Sequence, residues 1–235
     1  MAVKDLSLNL AKGQALGLIG PNGAGKTTVF NLVSGNFEPD QGTITFDGLK
    51  ISGKKSHAIT RLGISRTFQT VRPFSKMSVL ENVEVGALFG RDHSMSIKNA
   101  RNEAEQILDF VSLREKARLL ASSLTLAEQR RLELARAIAT KPKVLMLDEV
   151  MAGLNQVEIS GTLGLLEKLR NEKGITLLVI EHIMKAIFDL CDSIVVMDYG
   201  VKIAEGPPSD VMKDDAVIAA YMGPRRTRDR NTEAP

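Results

Sequence analysis

Eight residues near the start of the chain have the types and spacing of a phosphate-binding loop. The segment GPNGAGKT matches G-x-x-x-x-G-K-[ST], and the apolar run ALGLI directly precedes it. Glycines let such a turn curl with its backbone N–H groups around an anion. Lys26 can reach the β- and γ-phosphates, and the Thr27 hydroxyl can hold Mg²⁺. The predicted phosphate ligands, including the start of the next helix, are Gly20, Pro21, Asn22, Gly23, Ala24, Gly25, Lys26, Thr27 and Thr28.

Two carboxylates follow another apolar run. Val144 to Leu147 is apolar throughout, and Asp148 and Glu149 come directly after it. Ligands of open α/β sheets sit at the carboxyl ends of strands, where the phosphate loop also lies. We therefore expect Asp148 to hold Mg²⁺ and Glu149 to position or deprotonate an attacking water. A solvated acidic pair at a strand end is the competing interpretation.

A histidine and a glutamine stand at similar points in the sequence. His182 ends the apolar run TLLVI plus Glu181, whereas the other histidines, His57 and His93, lie in polar surroundings. His182 is therefore the candidate for a hydrogen bond to the γ-phosphate or to the attacking water. Gln69, just before the helical region, is the candidate for contacting Mg²⁺ or that water. Alone, either residue would be ordinary structural polarity.

The segment Leu124 to Glu128 opens a long predicted helix. Thr125 and Glu128 have capping-box spacing, so Thr125 places a hydroxyl at a helix N-terminus that favours anions. If the segment is taken alone, an ordinary capped helix is the favoured interpretation.

These residues must be positioned by a mixed sheet and a block of helices. Continuous apolar runs predict parallel strands that are covered on both faces, whereas alternating runs predict half-buried antiparallel strands. Tyr199-Gly200 between two apolar runs predicts a hairpin. The fold class is therefore α/β, a mixed sheet with a parallel nucleotide-binding core, an antiparallel edge and an inserted helical subdomain. The parallel runs are 15–19, 144–147 and 176–180, the alternating runs 3–10 and 43–47, and the helical region about 78–140.

Composition narrows the class of protein. The 235 residues carry a net charge of +3 and only 4% aromatics, which disfavours a nucleic-acid partner that stacks bases. A single cysteine, Cys191, excludes an internal disulfide and favours a reducing, cytosolic compartment. The sequence shows no apolar run of spanning length and no export signal. We expect one domain over 1–223 and a polar, disordered tail over 224–235.

Taken in order, these motifs resemble those of the nucleotide-binding subunits of ABC transporters, over nearly the whole chain. The resemblance assigns Walker A to 20–27, the Q-loop to Gln69, the signature to Leu124, Thr125, Leu126, Ala127 and Glu128, Walker B to 144–148, catalysis to Glu149, the D-loop to Asn155 and the switch to His182. Residues 129–136, 151–155 and 218–223 are similar to the LivG-type ATPases of branched-chain amino acid importers.

The resemblance implies a mechanism and partners. Two such subunits, identical or related, sandwich ATP between the phosphate loop of one chain and the signature helix of the other. Closure drives two membrane permeases, which a periplasmic binding protein supplies with solute. Val71, Pro73 and Phe74 are candidates for the groove that receives the permease. The chain would then lie on the cytoplasmic face of the membrane, held there by the permeases.

The sequence departs from the family pattern in several places. The signature is usually L-S-G-G-Q, a proline usually stands at Val150, and an aspartate usually stands at Asn155. Family members also have a first strand and an adenine-stacking aromatic about 25 residues before the loop, where this sequence has 19 residues before Gly20. We expect that the chain is truncated and that phosphate and Mg²⁺ contacts carry most of its ATP affinity.

Other classes remain for comparison. A non-transport ABC ATPase usually has a coiled-coil arm or two fused halves, and neither is visible here. A P-loop GTPase needs an N-K-x-D motif, which is absent, and a P-loop kinase has no use for the signature and switch histidine. Among importers, urea, short amides and other small solutes are alternatives to hydrophobic amino acids.

Overall fold

Short buried strands form the scaffold. The computed structural model describes residues 2–91 and 94–222. Its strands are β1 (Ala15–Ile19), β2 (Thr45–Phe46), β3 (Leu49–Lys50), β4 (Ile64–Arg66), β5 (Val144–Asp148), β6 (Thr176–Ile180), β7 (Ser193–Asp198) and β8 (Val201–Gly206). Its helices are α1 (Lys26–Val33), α2 (Ser56–Leu62), α3 (Val79–Phe89), α4 (Ile97–Phe110), α5 (Leu126–Ala139), α6 (Gln156–Lys173), α7 (Met184–Leu190), α8 (Pro208–Val211) and α9 (Asp215–Met222).

The main sheet has the strand order β4-β5-β6-β1-β7-β8. The first five of these strands run parallel, and β8 is antiparallel to β7 across the predicted turn at Tyr199-Gly200. All five residues of β1 are buried, as expected for a parallel strand covered on both faces. Since β1 lies between β6 and β7, the loop that follows it leaves from the interior of the sheet.

Helices α3, α4 and α5 fall within the range predicted to be helical and share their own apolar core. Both capping boxes exist: Ser78 with Glu81 begins α3, and Thr125 with Glu128 begins α5. Helix α4 buries Ala104, Ile107 and Leu108, the stripe that its sequence presents at helical spacing. Short 3₁₀ turns at Arg114–Lys116 and Ala121–Ser123 connect α4 to α5.

Two strand predictions need correction. Residues 3–10 form no strand, although Val3, Leu6, Leu8 and Leu10 do pack against the core cluster that includes Leu16 and Leu18 of β1. Alternation therefore reflects one apolar face, while a strand also requires a neighbour to complete its hydrogen-bond ladder. The predicted strand at 43–47 is reduced to the two residues of β2, paired with β3. Strand β4, of three residues, was not predicted.

Some predictions fall on residues outside the described ranges. They concern His93, the end of the proposed domain at Gly223 and the tail over 224–235. Within the described residues, none of the helices is both long enough and apolar enough to cross a bilayer.

Candidate active site

The phosphate loop joins β1 to α1 through a tightly packed turn. Gly20 has φ +145°, and a Cβ there would lie 2.0 Å from the carbonyl oxygen of Met197. Gly25, the residue before α1, has φ +101°, and its Cβ would lie 2.4 Å from the carbonyl oxygen of Ala2. Only glycine satisfies both demands, a left-handed backbone and no room for a side chain. The turn thus aims the N-terminus of α1 into the loop, as an anion site requires.

Lys26 is held inside this loop. Its ammonium donates hydrogen bonds to the carbonyl oxygens of Gly20 at 2.7 Å and Pro21 at 3.0 Å. Burial lowers the pKa of Lys26, and the nearby Glu149 and Asp148 carboxylates oppose that shift. Thr27 is exposed in the first turn of α1, so its hydroxyl is accessible to a ligand.

The two carboxylates at the end of β5 have different surroundings. Asp148 is buried and accepts a hydrogen bond from the Arg66 guanidinium at 2.6 Å. Arg66 also donates to Asn31 of α1 at 2.6 Å and lies over the rings of Phe30 and Phe68. The Asp148 carboxylate is therefore already paired with a cation. The sequence analysis did not single out Arg66.

The Glu149 carboxylate contacts two other predicted site residues, Gln69 and His182. Gln69 donates from Nε2 to Glu149 Oε2 at 2.8 Å, and His182 Nε2 lies 2.9 Å from Glu149 Oε1. The Glu149 backbone has φ 51°, an uncommon left-handed conformation for a residue with a side chain. Its N–H donates to the Ile180 carbonyl at 2.9 Å, which extends the β5–β6 pairing by one bond. The structure thus brings three distant candidates, Gln69, Glu149 and His182, into one cluster.

Glu181, beside His182, was also missed by sequence reasoning. It is buried and accepts the N–H of Met151 at 2.9 Å, so it ties the end of β6 to the loop after Glu149. Burial raises the pKa of Glu181 to about 7. A charged residue directly after the buried run of β6 is the signal that could have identified it.

The predicted signature and D-loop residues have local roles in this structure. Thr125 caps α5, and Glu128 forms an ion pair with Lys116 that lowers the pKa of its carboxyl group. Asn155 caps α6 by accepting from the N–H groups of Val157 and Glu158, both at 3.0 Å. Leu126 lies close to Gly153, two residues before Asn155, since a Cβ at Gly153 would lie 3.1 Å from Leu126 Cδ2. These segments are adjacent to one another, and their hydrogen bonds are separate from the Glu149 cluster.

A broad open groove of about 2000 Å³ runs between residues 2–12, the β2–β3 hairpin and α4. Thr28 and Lys143 are among the residues that line it, whereas Gln69, Asp148, Glu149 and His182 are not. The cluster around Glu149 therefore lies outside this groove.

The sequence matches two family models. Residues 3–152 match the model described as ABC transporter. The chain belongs to the ABC transporter family. Residues 201–223 match a second model, described as branched-chain amino acid ATP-binding cassette transporter. This membership confirms the family resemblance described above and the predicted ATPase class.

Curated relatives in the ABC transporter family are similar over nearly their whole length. The branched-chain amino acid transport ATP-binding proteins BraF of Pseudomonas aeruginosa and LivG of Escherichia coli are each 40% identical to this chain, over 95% of it and 92% of the relative. Among solved structures, the ADP conformation of the ATP-binding cassette MJ1267 matches with a TM-score of 0.84 and 31% identity, over 95% of this chain and 93% of that chain. The ABC cassette fold is therefore confirmed as well.

Proposed function

We propose that this chain hydrolyses ATP to drive an ABC importer of branched-chain or other hydrophobic amino acids. The observation that carries the proposal is the cluster of Gln69 and His182 on Glu149, beside a phosphate loop of family type. The match over residues 201–223 and the names of BraF and LivG favour amino acids over urea, short amides or other solutes. They also favour transport over a non-transport role.

ATP would be held mainly through its phosphates. The loop N–H groups and the α1 N-terminus would face the bound phosphates, and Lys26 would supply a positive charge. In the described residues, Lys26 bonds to loop carbonyls that lie within the same turn. Those bonds keep the ammonium at the site where phosphate oxygens would bind. The ligand set remains the proposed one, Gly20 to Thr28.

Mg²⁺ fits the donor set at this site. Thr27, Gln69 and Asp148 offer hydroxyl, amide and carboxylate oxygens, the hard ligands that Mg²⁺ prefers. No cluster of three or more His, Cys, Asp or Glu suited to a metal occurs in the described residues. Mg²⁺ is usually bound through one or two carboxylates together with substrate phosphates and several waters. When bound, it would neutralise charge on the β- and γ-phosphates.

Glu149 is the proposed general base. A water in line with the γ-phosphate would donate a proton to a Glu149 carboxylate oxygen as its own oxygen attacks phosphorus. The bond from that phosphorus to the β–γ bridging oxygen would break at the same time, and ADP would leave. Gln69 and His182 each hold one of the two carboxylate oxygens, which fixes the plane of the carboxylate. We therefore propose that His182 and Gln69 belong to the site because they orient the Glu149 carboxylate.

The partners are proposed from the family. A solved cassette, MJ0796, is a dimer in a post-hydrolysis state bound to ADP and Pi, with 26% identity and a TM-score of 0.79 over 88% of this chain and 90% of that chain. We infer a second ABC ATPase subunit here, with Leu124 to Glu128 acting on the nucleotide of the opposite chain. Two permeases and a binding protein would complete the importer and hold this chain at the cytoplasmic membrane face.

The test is Glu149→Gln, which retains the shape of the side chain but removes its basicity. Turnover should fall by about 10²- to 10⁴-fold while ATP binding persists. Glu167→Gln, an exposed acid on α6, is the matched control and should leave turnover unchanged. Wild-type hydrolysis in Glu149→Gln would sink the assignment of the base. Uptake of labelled leucine against labelled urea, in vesicles that carry this chain together with the proposed permeases, distinguishes the solutes.

A further inference from the structure

Phe68, the residue directly before Gln69, is held by side chains of α5. Its N–H donates to Glu133 Oε1 at 2.8 Å, and its carbonyl oxygen accepts from Arg130 Nη1 at 3.2 Å. The last sheet bond before it is from the Thr67 N–H to Met146. Both backbone polar groups of Phe68 are therefore satisfied by α5 and not by the sheet.

A further contact from the same helix holds the far end of this loop. Arg136 donates to the Arg72 carbonyl oxygen at 3.0 Å, and its guanidinium lies 4.5 Å from the centre of the Phe74 ring. Residues 130, 133 and 136 are spaced three apart and thus lie along one side of α5. One helix therefore grips the loop 68–74 at both ends.

Glu133 is an expensive residue to place where it stands. It is 6% exposed, its Oε2 atom has no hydrogen-bond partner, and that atom lies 3.9 Å from Arg130 Nη1. Burial raises the pKa of Glu133 to about 7. An apolar side chain would fill this position with less loss of solvation, because a buried carboxylate needs several partners. The carboxylate accepts a hydrogen bond from the Phe68 N–H, which an apolar side chain could not do.

The position of the Phe68 backbone affects the proposed base through Gln69. Gln69 follows Phe68 by a single peptide bond, and its Nε2 lies 2.8 Å from Glu149 Oε2. A shift in the Phe68 backbone must therefore move the Gln69 amide relative to Glu149. A misplacement of about 1 Å can slow an enzyme by about 10²-fold.

We propose that Glu133 is a positioning residue for ATP hydrolysis, which sets Gln69 against Glu149 by holding the Phe68 amide. This inference rests on the proposed function of Glu149 and Gln69. Because α5 begins just after Thr125, displacement of that helix carries Phe68 with it or breaks the bond. The position of α5 is thereby linked to the geometry of the base.

The decisive measurement is a double-mutant cycle of Glu133→Ala with Gln69→Ala, read as kcat and KM for ATP. Glu133→Ala should lower kcat by about 10-fold or more and change KM by less than about 2-fold, because the phosphate loop is untouched. The double variant should be no slower than Gln69→Ala alone. Glu133→Gln should stay within about 3-fold of wild type, since its amide oxygen can still accept the Phe68 N–H.

Glu84→Ala is the matched control. Glu84 lies on α3 in the same block of helices, and it too has a buried oxygen without a hydrogen-bond partner. Its substitution should leave kcat unchanged. Amide exchange of the peptide 68–74 should accelerate in Glu133→Ala and not in Glu84→Ala. If Glu133→Ala does not fold, Arg130→Met repeats the cycle through the Phe68 carbonyl.

The outcomes separate this proposal from the function beneath it. Additive losses in the cycle, or wild-type kcat in folded Glu133→Ala or Arg130→Met, would overturn the positioning role and leave the ATPase site standing. Wild-type turnover in Glu149→Gln would instead remove the proposed base, whatever the exchange of the loop amides shows. A Gln69→Ala variant as fast as wild type would also overturn the positioning role.

Discussion

The Arg66 guanidinium lies 2.6 Å from the Asp148 carboxylate, and the two side chains are only 7% and 2% exposed. Arg66 comes from β4 and Asp148 from the end of β5, strands that pair directly. The proposed Mg²⁺ ligand is therefore neutralised by a cation of the protein itself. A Mg²⁺ ion bound at this site would share the Asp148 carboxylate with the Arg66 guanidinium.

Replacing Arg66 by methionine should strongly destabilise the fold. Removing one partner of a buried pair leaves an uncompensated charge and costs about 3–5 kcal/mol. The free energy of unfolding in urea measures this loss. Arg114→Met is the control, because Arg114 pairs with Glu105 at the surface and should lose no more than about 1 kcal/mol. A loss below about 1 kcal/mol in Arg66→Met would contradict the reasoning.

Replacing His182 by alanine should lower kcat by about 10- to 100-fold with little change in KM. The imidazole holds one oxygen of Glu149 and makes none of the described contacts with the phosphate loop. Steady-state ATP hydrolysis measures both constants. The control is His57→Ala on α2, an exposed histidine, which should behave as wild type. If the His182 variant turns over within twofold of wild type, the histidine has no part in orienting the base.

Replacing Gly20 by alanine should lower the stability of the protein more than the same change at Gly23. Both glycines have positive φ, but a Cβ at Gly20 meets a backbone oxygen at 2.0 Å, whereas a Cβ at Gly23 meets nothing within 4 Å. Left-handed strain alone costs about 1–2 kcal/mol, the expected loss for Gly23→Ala. Gly20→Ala should lose more and should also weaken ATP binding. Thermal unfolding and nucleotide titration are the measurements, and equal losses would show that strain alone matters.

Glu133 should make stability depend on pH near neutrality. Burial raises its pKa from 4.5 to about 7, so the folded state binds this proton more tightly than the unfolded state. Its contribution is therefore most favourable below pH 4.5 and declines as the pH rises through about 7. The groups that face it are Arg130, Arg136 and Asp148.

Unfolding of wild type and Glu133→Gln between pH 5 and pH 8 measures that contribution. At about 1.4 kcal/mol per pH unit, wild type should lose on the order of 3 kcal/mol relative to the variant. Glu181, whose pKa is also raised to about 7, remains in both proteins, so its effect cancels in the comparison. A constant difference across this range would place the pKa of Glu133 near its ordinary value.

The predictable parts of the structure are those that local physics decides. Strand β6 lies where its apolar run predicted, and the Ser78 and Thr125 boxes begin helices as their spacing indicated. Strand β4 was not predicted, because a strand of three residues is too short to show a hydrophobic period. The strand predicted over residues 3–10 was wrong, because an alternating pattern indicates which side chains are buried but not whether the backbone pairs with a neighbouring strand.

The site shows the same division. The sequence motifs predicted Gln69, Glu149 and His182 as candidates, because each of them lies in a loop or just after the end of a strand. It did not predict the contact between Glu133 and Phe68, which joins residues 65 positions apart. Such a contact depends on how α5 packs across the loop, and no local pattern encodes that packing. The trace that it leaves in the sequence is a charged residue placed directly between Leu132 and Leu134.

The left-handed backbone of Glu149 has a consequence for laboratory evolution. Asparagine and glycine adopt φ near 51° with less strain than glutamate, by about 1 kcal/mol. A screen that rewards heat resistance alone would therefore enrich these residues at position 149, and the proposed general base would be lost. A screen that rewards growth on the transported solute would retain the strained glutamate. The two selections should diverge at this codon, where stability and turnover make opposite demands.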